Sequence, residues 1–349
     1  MKRAEPPDDP PFDEHHEPTG PPAQAAESEP EAAAPATAAK DYTARPMTGI
    51  AFKLGSVAIF VAMSTMIKAT GDTLPAGQIV FYRSAFAIVP VLAWLAFRGD
   101  LAGAWKTDNI LSHFWRGLVG VIAMGFGFYG LTQLPLPDTI AIGYAMPLIT
   151  VVFAALFLGE VVRIYRWSAV LVGLSGVLII SWPRLSLLEG DMSSGEAMGV
   201  IAVLASAVLG AVAMILVRRL VLTEKTHTIV LYFSLSAALL SLATMPFGWV
   251  VPDWQTLSLM AGAGFCGGIA QIMLTQSYRY ADVSTIAPFD YTSILLGIAL
   301  GYMFFGDMPT LSMLVGTAIV VGAGIFVILR EHALGLERKK QRKVMTPQG

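Results

Sequence analysis

The sequence predicts an all-α membrane protein of ten transmembrane helices arranged as two inverted five-helix repeats. Three observations carry this expectation. Apolar stretches follow one another, each long enough to cross a bilayer. Lysine and arginine concentrate in alternate loops. Short residue strings recur in the two halves at a nearly constant offset.

The spans come first. Of 349 residues, 55% are hydrophobic and only 14% charged, and the mean hydropathy is +0.62. A soluble chain of this length carries about a quarter charged residues. The deficit is concentrated between residues 49 and 329. There the apolar stretches run roughly 20 residues, enough to cross a hydrocarbon core about 30 Å thick at 1.5 Å per residue. A soluble helix would show a polar face instead. The expected spans are 49–69, 77–98, 114–134, 138–158, 164–182, 196–217, 227–247, 256–278, 282–305 and 310–329. Residues 1–46, rich in Pro, Ala, Glu and Asp, cannot bury enough apolar area to offset ordering and are expected to be a disordered cytoplasmic tail.

Loop charge sets the orientation. With the N-terminus inside, the inner loops hold Arg98, Lys106, Arg163, Arg166, Arg218, Arg219, Lys225 and Arg279, against Arg184 alone outside. Both ends are then cytoplasmic, at a bacterial inner membrane. The basic segment 331–349, with Arg338, Lys339, Lys340, Arg342 and Lys343, either touches anionic lipid or is a solvated end.

Composition also excludes. A net charge of -2 gives no reason to expect a nucleic-acid partner, and the lone Cys266 excludes a disulfide framework. The five histidines lack ligand spacing, and no GxxxxGKS/T, GxSxG or HExxH string occurs. No catalytic residue, metal or cofactor is expected, and the chain is not expected to be an enzyme.

The repeat is legible in several short matches. FGFYGLTQ (126–133) faces IAQIMLTQ (269–276), and DTIAIGYAMP (138–147) faces DVSTIAPFDYTS (282–293). Tyr144 precedes Glu160 by 16 residues, as Tyr291 precedes Asp307; the carboxylates close FLGE (157–160) and FFGD (304–307). The repeats are expected over 47–182 and 196–330. Five spans are odd in number, so the second copy enters the membrane inverted, a recurrent plan of secondary transporters with the site near the midplane between the halves.

The strings FYRSAFA (81–87), WRGLVG (115–120), YAMPLITVVFAALFLGE (144–160) and PFDYTSILLGIALGYMFFGDMP (288–309) resemble the drug/metabolite transporter superfamily, specifically the EamA-type ten-span carriers. The resemblance covers residues 49–329 and departs from the family's Gly-Glu pair at Gly306-Asp307. The last string is similar to the branch of riboflavin importers and S-adenosylmethionine uptake carriers. The resemblance implies a small organic solute moved by alternating access, with riboflavin uptake as the first guess. S-adenosylmethionine uptake, with Asp290 against the sulfonium, and export of amino acids, metabolites or drugs are the alternatives. An intramembrane enzyme or a channel is the remote one.

Ionisable groups inside a span face a cavity or a partner. Arg83, about six residues into the second span, offers a permanent five-donor fork to an anionic or carbonyl-rich group, or else ties helix ends together. Asp290, about 12 Å into the ninth span, either binds a coupling proton or cation or pairs with Arg83 or Arg116. Tyr144 and Tyr291, with Phe289, offer rings for stacking or plain packing. Gln133, Gln271 and Gln276 line the cavity or hydrogen-bond between helices. Arg116 is expected to anchor at the inner interface, and Lys68 to snorkel at the outer one. Glu160 and Asp307 set boundaries or gate, and Pro147 and Pro288 supply hinges. Oligomeric state is left open.

Overall fold

The computed structural model describes residues 46–345 except 100, 108, 159–162, 186–194, 221–222, 225 and 282–285. Among the described residues, ten helices are long and apolar enough to cross a membrane, and no strand occurs. In chain order they are α1 (Pro46–Ala69), α2 (Ala76–Phe97), α3 (Ile110–Gln133), α4 (Leu136–Gly143 continued by Ala145–Leu158), α5 (Ile164–Leu185), α6 (Gly195–Leu220), α7 (Thr226–Ser241), α8 (Trp254–Tyr280), α9 (a 3-10 turn Ala287–Tyr291 leading into Thr292–Phe305) and α10 (Leu311–Met345). Residues 1–45, expected as a disordered tail, lie outside the described part; Pro46 already opens α1.

Several boundaries differ from the expectation by a few residues; α3, for instance, begins at Ile110 and α5 ends at Leu185. The seventh span closes in a 3-10 turn, Leu242–Thr244, short of residue 247. Residues 331–345, expected as the start of a basic cytoplasmic tail, continue α10 as helix, which runs for 35 residues from Leu311 to Met345. Once the helix is nucleated, each further residue adds one backbone hydrogen bond, so a helix need not stop where its apolar stretch does.

The most extensive helix pairings all cross between the halves. They come in matched couples: α1 with α8 answers α3 with α6, α2 with α8 answers α3 with α7, and α1 with α9 answers α4 with α6. Two others, α2 with α7 and α5 with α10, join a helix to its own counterpart, as the smaller pairing of α4 with α9 also does. That is the pattern a pseudo-two-fold axis in the membrane plane produces. The repeats are therefore interleaved, and the surface between them is the interior of the protein.

Small residues make these crossings close, since between apolar helices in lipid, packing rather than water exclusion drives association. A Cβ added at Gly316 of α10 would lie 2.5 Å from the Gly176 carbonyl oxygen of α5, and one at Gly176 would lie 2.7 Å from that of Gly316. On the α1–α8 seam, Ser56 donates to the Ala270 carbonyl at 2.9 Å.

Ends are held by local chemistry. Asp253 caps α8 by accepting from the Thr256 N–H at 3.0 Å, and these hydrogen bonds hold its carboxyl below the ordinary value. Gly306, at φ 69, closes α9 in the left-handed conformation; its N–H reaches Tyr302 O and the Asp307 N–H reaches Gly301 O, both at 3.1 Å. This gives FFGD a structural meaning: the glycine turns the chain so that the next carboxylate points back across the bundle.

Gly316→Ala is expected to destabilise the protein by about 1–3 kcal/mol, because the added Cβ would meet both the Gly176 carbonyl oxygen and Ile180 Cγ1 at 2.5 Å, and the backbone atom cannot turn aside. Gly322→Ala, where nothing lies within 4 Å of an added Cβ, should leave stability nearly unchanged. Thermal unfolding of the two purified variants in one detergent checks the contrast.

Candidate functional site

The fourth and ninth spans, counterparts in the two repeats, are both interrupted, and a tyrosine stands at each interruption. In α4 the helix breaks at Tyr144, between Gly143 and Ala145. In α9 the 3-10 turn ends at Tyr291. Pro147 lies three residues after the first tyrosine and Pro288 three before the second. A proline lacks the N–H that would continue a helical ladder, so it favours irregular backbone nearby.

These two tyrosines meet. Their ring centroids are 4.9 Å apart at 31°. The Tyr144 hydroxyl donates to the Asp290 carbonyl oxygen at 2.5 Å and lies 2.9 Å from Ser293 Oγ. The Tyr291 hydroxyl fits a slot at Gly324 of α10, where any Cβ would collide with it. The tyrosines that open the matching spacings of the two halves thus meet at one point between the repeats.

Beside them lies a charge pair. Lys53 Nζ is 2.7 Å from Asp290 Oδ1. This overturns the expected pairing of Asp290 with Arg83 or Arg116. The pair is asymmetric: the lysine side chain is 3% exposed and the aspartate 42%. Lys53 is seven residues from the start of the 24-residue α1, or about 11 Å at 1.5 Å per residue, so the pair lies on the Pro46 side of the helix middle.

The other candidates do not join this centre. Arg83, on α2, is buried close to Gly267 and at the level of Met63, which lies ten residues further along α1 than Lys53. Its Nε has no hydrogen-bond partner, and no carboxylate among the described residues pairs with it. The guanidinium of Arg116, expected as an interfacial anchor, lies over the Phe233 ring at 4.0 Å and packs α3 on α7. Gln133 ends α3 and lines a cavity of about 390 Å³ at the opposite face, with Tyr129, Thr132 and Val250. Gln271 and Gln276 are half-buried along α8, and no hydrogen bond among the described residues links their side chains to Asp290 or Tyr144. Glu160 lies outside the described residues.

The face opposite the chain ends carries a second set of charges. Lys68 does not snorkel; it donates to the Leu134 carbonyl at 2.5 Å and lies 3.8 Å from Asp307 Oδ2. Asp307 Oδ2 also accepts from the Leu136 N–H at 3.0 Å, so the end of α9 is tied to the start of α4. Nearby, Arg184 pairs with Asp138 at 2.9 Å and with Glu196 at 2.6 Å, joining α5 to α4 and α6. Asp307 therefore acts as a tie at this face. Lys53 and Arg184 were missed as partners, although a lysine in an apolar span carries the same signal that singled out Arg83.

Comparison with known proteins agrees with this architecture. The chain is 26% identical to an S-adenosylmethionine uptake transporter of Rickettsia felis, over 82% of this chain and 94% of that one. It is 28% identical to a pseudopaline exporter of Pseudomonas aeruginosa over 80% and 93%. It is also 28% identical to a riboflavin transporter of Rhizobium johnstonii over 82% and 89%. One solved crystal structure superposes with a TM-score of 0.58 at 20% identity, covering 82% of this chain and 99% of that one, and so shares the fold. The EamA-like transporter family model matches twice, over residues 47–182 and 197–330, and the chain belongs to that family.

Proposed function

We propose that this protein is a secondary carrier that moves a small organic solute across the bacterial inner membrane by alternating access, with both chain ends cytoplasmic. The observation that carries this reading is the seat formed where the repeats meet: Lys53 from the first, Asp290 and Tyr291 from the second, and Tyr144 closing it. Inverted-repeat carriers hold their solute between the repeats at discontinuous helices, and both interrupted spans converge here.

The charges at the opposite face serve, in this reading, as its closure. Lys68, Asp307 and the Leu136 N–H tie the helix ends together, while Arg184 bridges Asp138 and Glu196. With that face shut, the seat opens toward the face of the chain ends, which the positive loops assign to the cytoplasm.

Riboflavin, the solute first suggested by the 288–309 string, is a flat ring system suited to the tyrosines. S-adenosylmethionine adds charges that the Lys53–Asp290 pair can answer, and the seat favours it over riboflavin. Direction is a separate property, and relatives named for uptake and for export both align along most of the chain.

Counterflow into proteoliposomes is the direct test, with labelled riboflavin and labelled S-adenosylmethionine in turn. A saturable flux accelerated by unlabelled solute inside is expected; a nonsaturating current would remove the carrier reading. Tyr144→Phe should lower the rate about fivefold, the worth of roughly 1 kcal/mol for a neutral hydrogen bond. Lys68→Met should speed labelling of a cysteine placed by Ile140→Cys, in a Cys266→Ser background, by a membrane-impermeant maleimide from the periplasmic side. Unchanged labelling would take Lys68 out of the closure.

A further inference from the structure

We propose that Arg83 is the binding site of a small monovalent inorganic anion, of which chloride is the simplest. The site stands apart from the Lys53–Asp290 seat and does not depend on the carrier reading.

Every carboxylate whose side chain is described is engaged elsewhere. Asp290 lies against Lys53; Asp307 lies near Lys68 and accepts from the Leu136 N–H. Asp138 and Glu196 both hold Arg184. Glu224 accepts from Thr107 Oγ1 at 2.5 Å and lies 3.9 Å from His113 Nε2. Asp253 caps α8. Arg83 is left as an enclosed cation, only 8% exposed, whose side chain makes no hydrogen bond or ion pair among the described residues. Arg116 differs, because the face of the Phe233 ring answers part of its charge.

An arginine keeps its proton at any working pH, so Arg83 cannot become neutral by itself. A buried charge is costly unless it is paired, and inside a membrane span the cost is greater still. Water would accept the guanidinium hydrogen bonds and leave the charge in place. An anion does both, through charge-assisted bonds to some of the five N–H donors.

The surroundings limit what that anion can be. Around Arg83 the backbones of α2 and α8 nearly touch. A Cβ added at Gly264 would lie 2.9 Å from the Arg83 carbonyl oxygen, and one at Gly268 would lie 2.7 Å from that of Ala87. Between these two glycines, Gly267 leaves a notch in α8 for the guanidinium. A Cβ there would lie 3.2 Å from Arg83 Nε, 3.3 Å from Nη2 and 2.9 Å from Met63 Sδ of α1. A seam closed this tightly suits an ion and not an organic solute. One positive charge in apolar surroundings also calls for one negative charge, since any excess would itself be buried unpaired.

The place is distinct from the seat. Met63 lies ten residues beyond Lys53 on α1, about 15 Å at 1.5 Å per residue. α1 and α2 belong to the first repeat and α8 to the second, so the anion neutralises a cation on a seam between the repeats and stabilises that seam when packed.

The test is thermal unfolding of the full chain in nanodiscs of zwitterionic lipid, with chloride exchanged for gluconate at constant ionic strength. A saturable rise of about 2–4 °C with chloride is expected, reproduced by bromide and nitrate. Arg83→Gln should abolish the difference between chloride and gluconate. Equal unfolding temperatures of the unmodified protein in the two salts would overturn the proposal. So would a chloride effect that persists in Arg83→Gln. Stabilisation by acetate in place of chloride would assign the arginine to a carboxylate carried by a solute, and would overturn it as well. Should the variant fail to fold, crystals of the unmodified protein grown in bromide decide: an anomalous peak at the Arg83 guanidinium supports the site, and its absence overturns it.

Discussion

A charge inside an apolar span has no water to solvate it, so its position is settled by where another charge or a polarised backbone group can reach it. Most of the informative geometry here follows from that constraint. Lys68 reaches the backbone carbonyl left at the end of α3 and the carboxylate that follows α9. Arg184 holds two carboxylates from two other helices. Lys53 holds Asp290. Each contact joins two different helices or their ends, and most join one repeat to the other. The ionic contacts are thus concentrated on the surface that a carrier must rearrange.

Packing obeys a second constraint of the same solvent. With lipid as apolar as the side chains, helices gain by approaching closely, and glycine permits it. Gly176 and Gly316 face one another across the α5–α10 seam, and Gly324 makes the slot for Tyr291. The seams that pair each helix with its own counterpart lie on the pseudo-symmetry axis, and the tyrosine pair lies on one of them, α4 with α9.

The architecture was legible because the bilayer imposes length and composition on each span, and both are written locally. The repeat was legible because Tyr144 and Tyr291 keep the same distance to their carboxylates. That spacing even pointed to two residues that touch. Lateral neighbours were not legible, because position along a span gives depth but not azimuth. Asp290 was placed at a useful depth and given the wrong partner, since Arg83 and Arg116 were the arginines in view and Lys53 was not. Lys68 was read as snorkelling because it closes its span, whereas an open carbonyl at Leu134 lies close enough to claim it. Gly306 shows what a motif reading adds: FFGD records a left-handed turn that aims Asp307 at the Leu136 N–H.

The tyrosine pair bears on descent. A five-helix unit assembled with an inverted copy of itself would set this tyrosine opposite its own twin, and no change at that position could affect one side alone. Fusion into a single chain lifts that restriction. The outcome is visible in the two hydroxyls: Tyr144 bonds to the Asp290 carbonyl and lies against Ser293, while Tyr291 is seated at Gly324. Once the twins differ, the two directions of crossing cease to be mirror images, and a duplicated carrier can acquire a preferred sense of transport by substitutions on one half only.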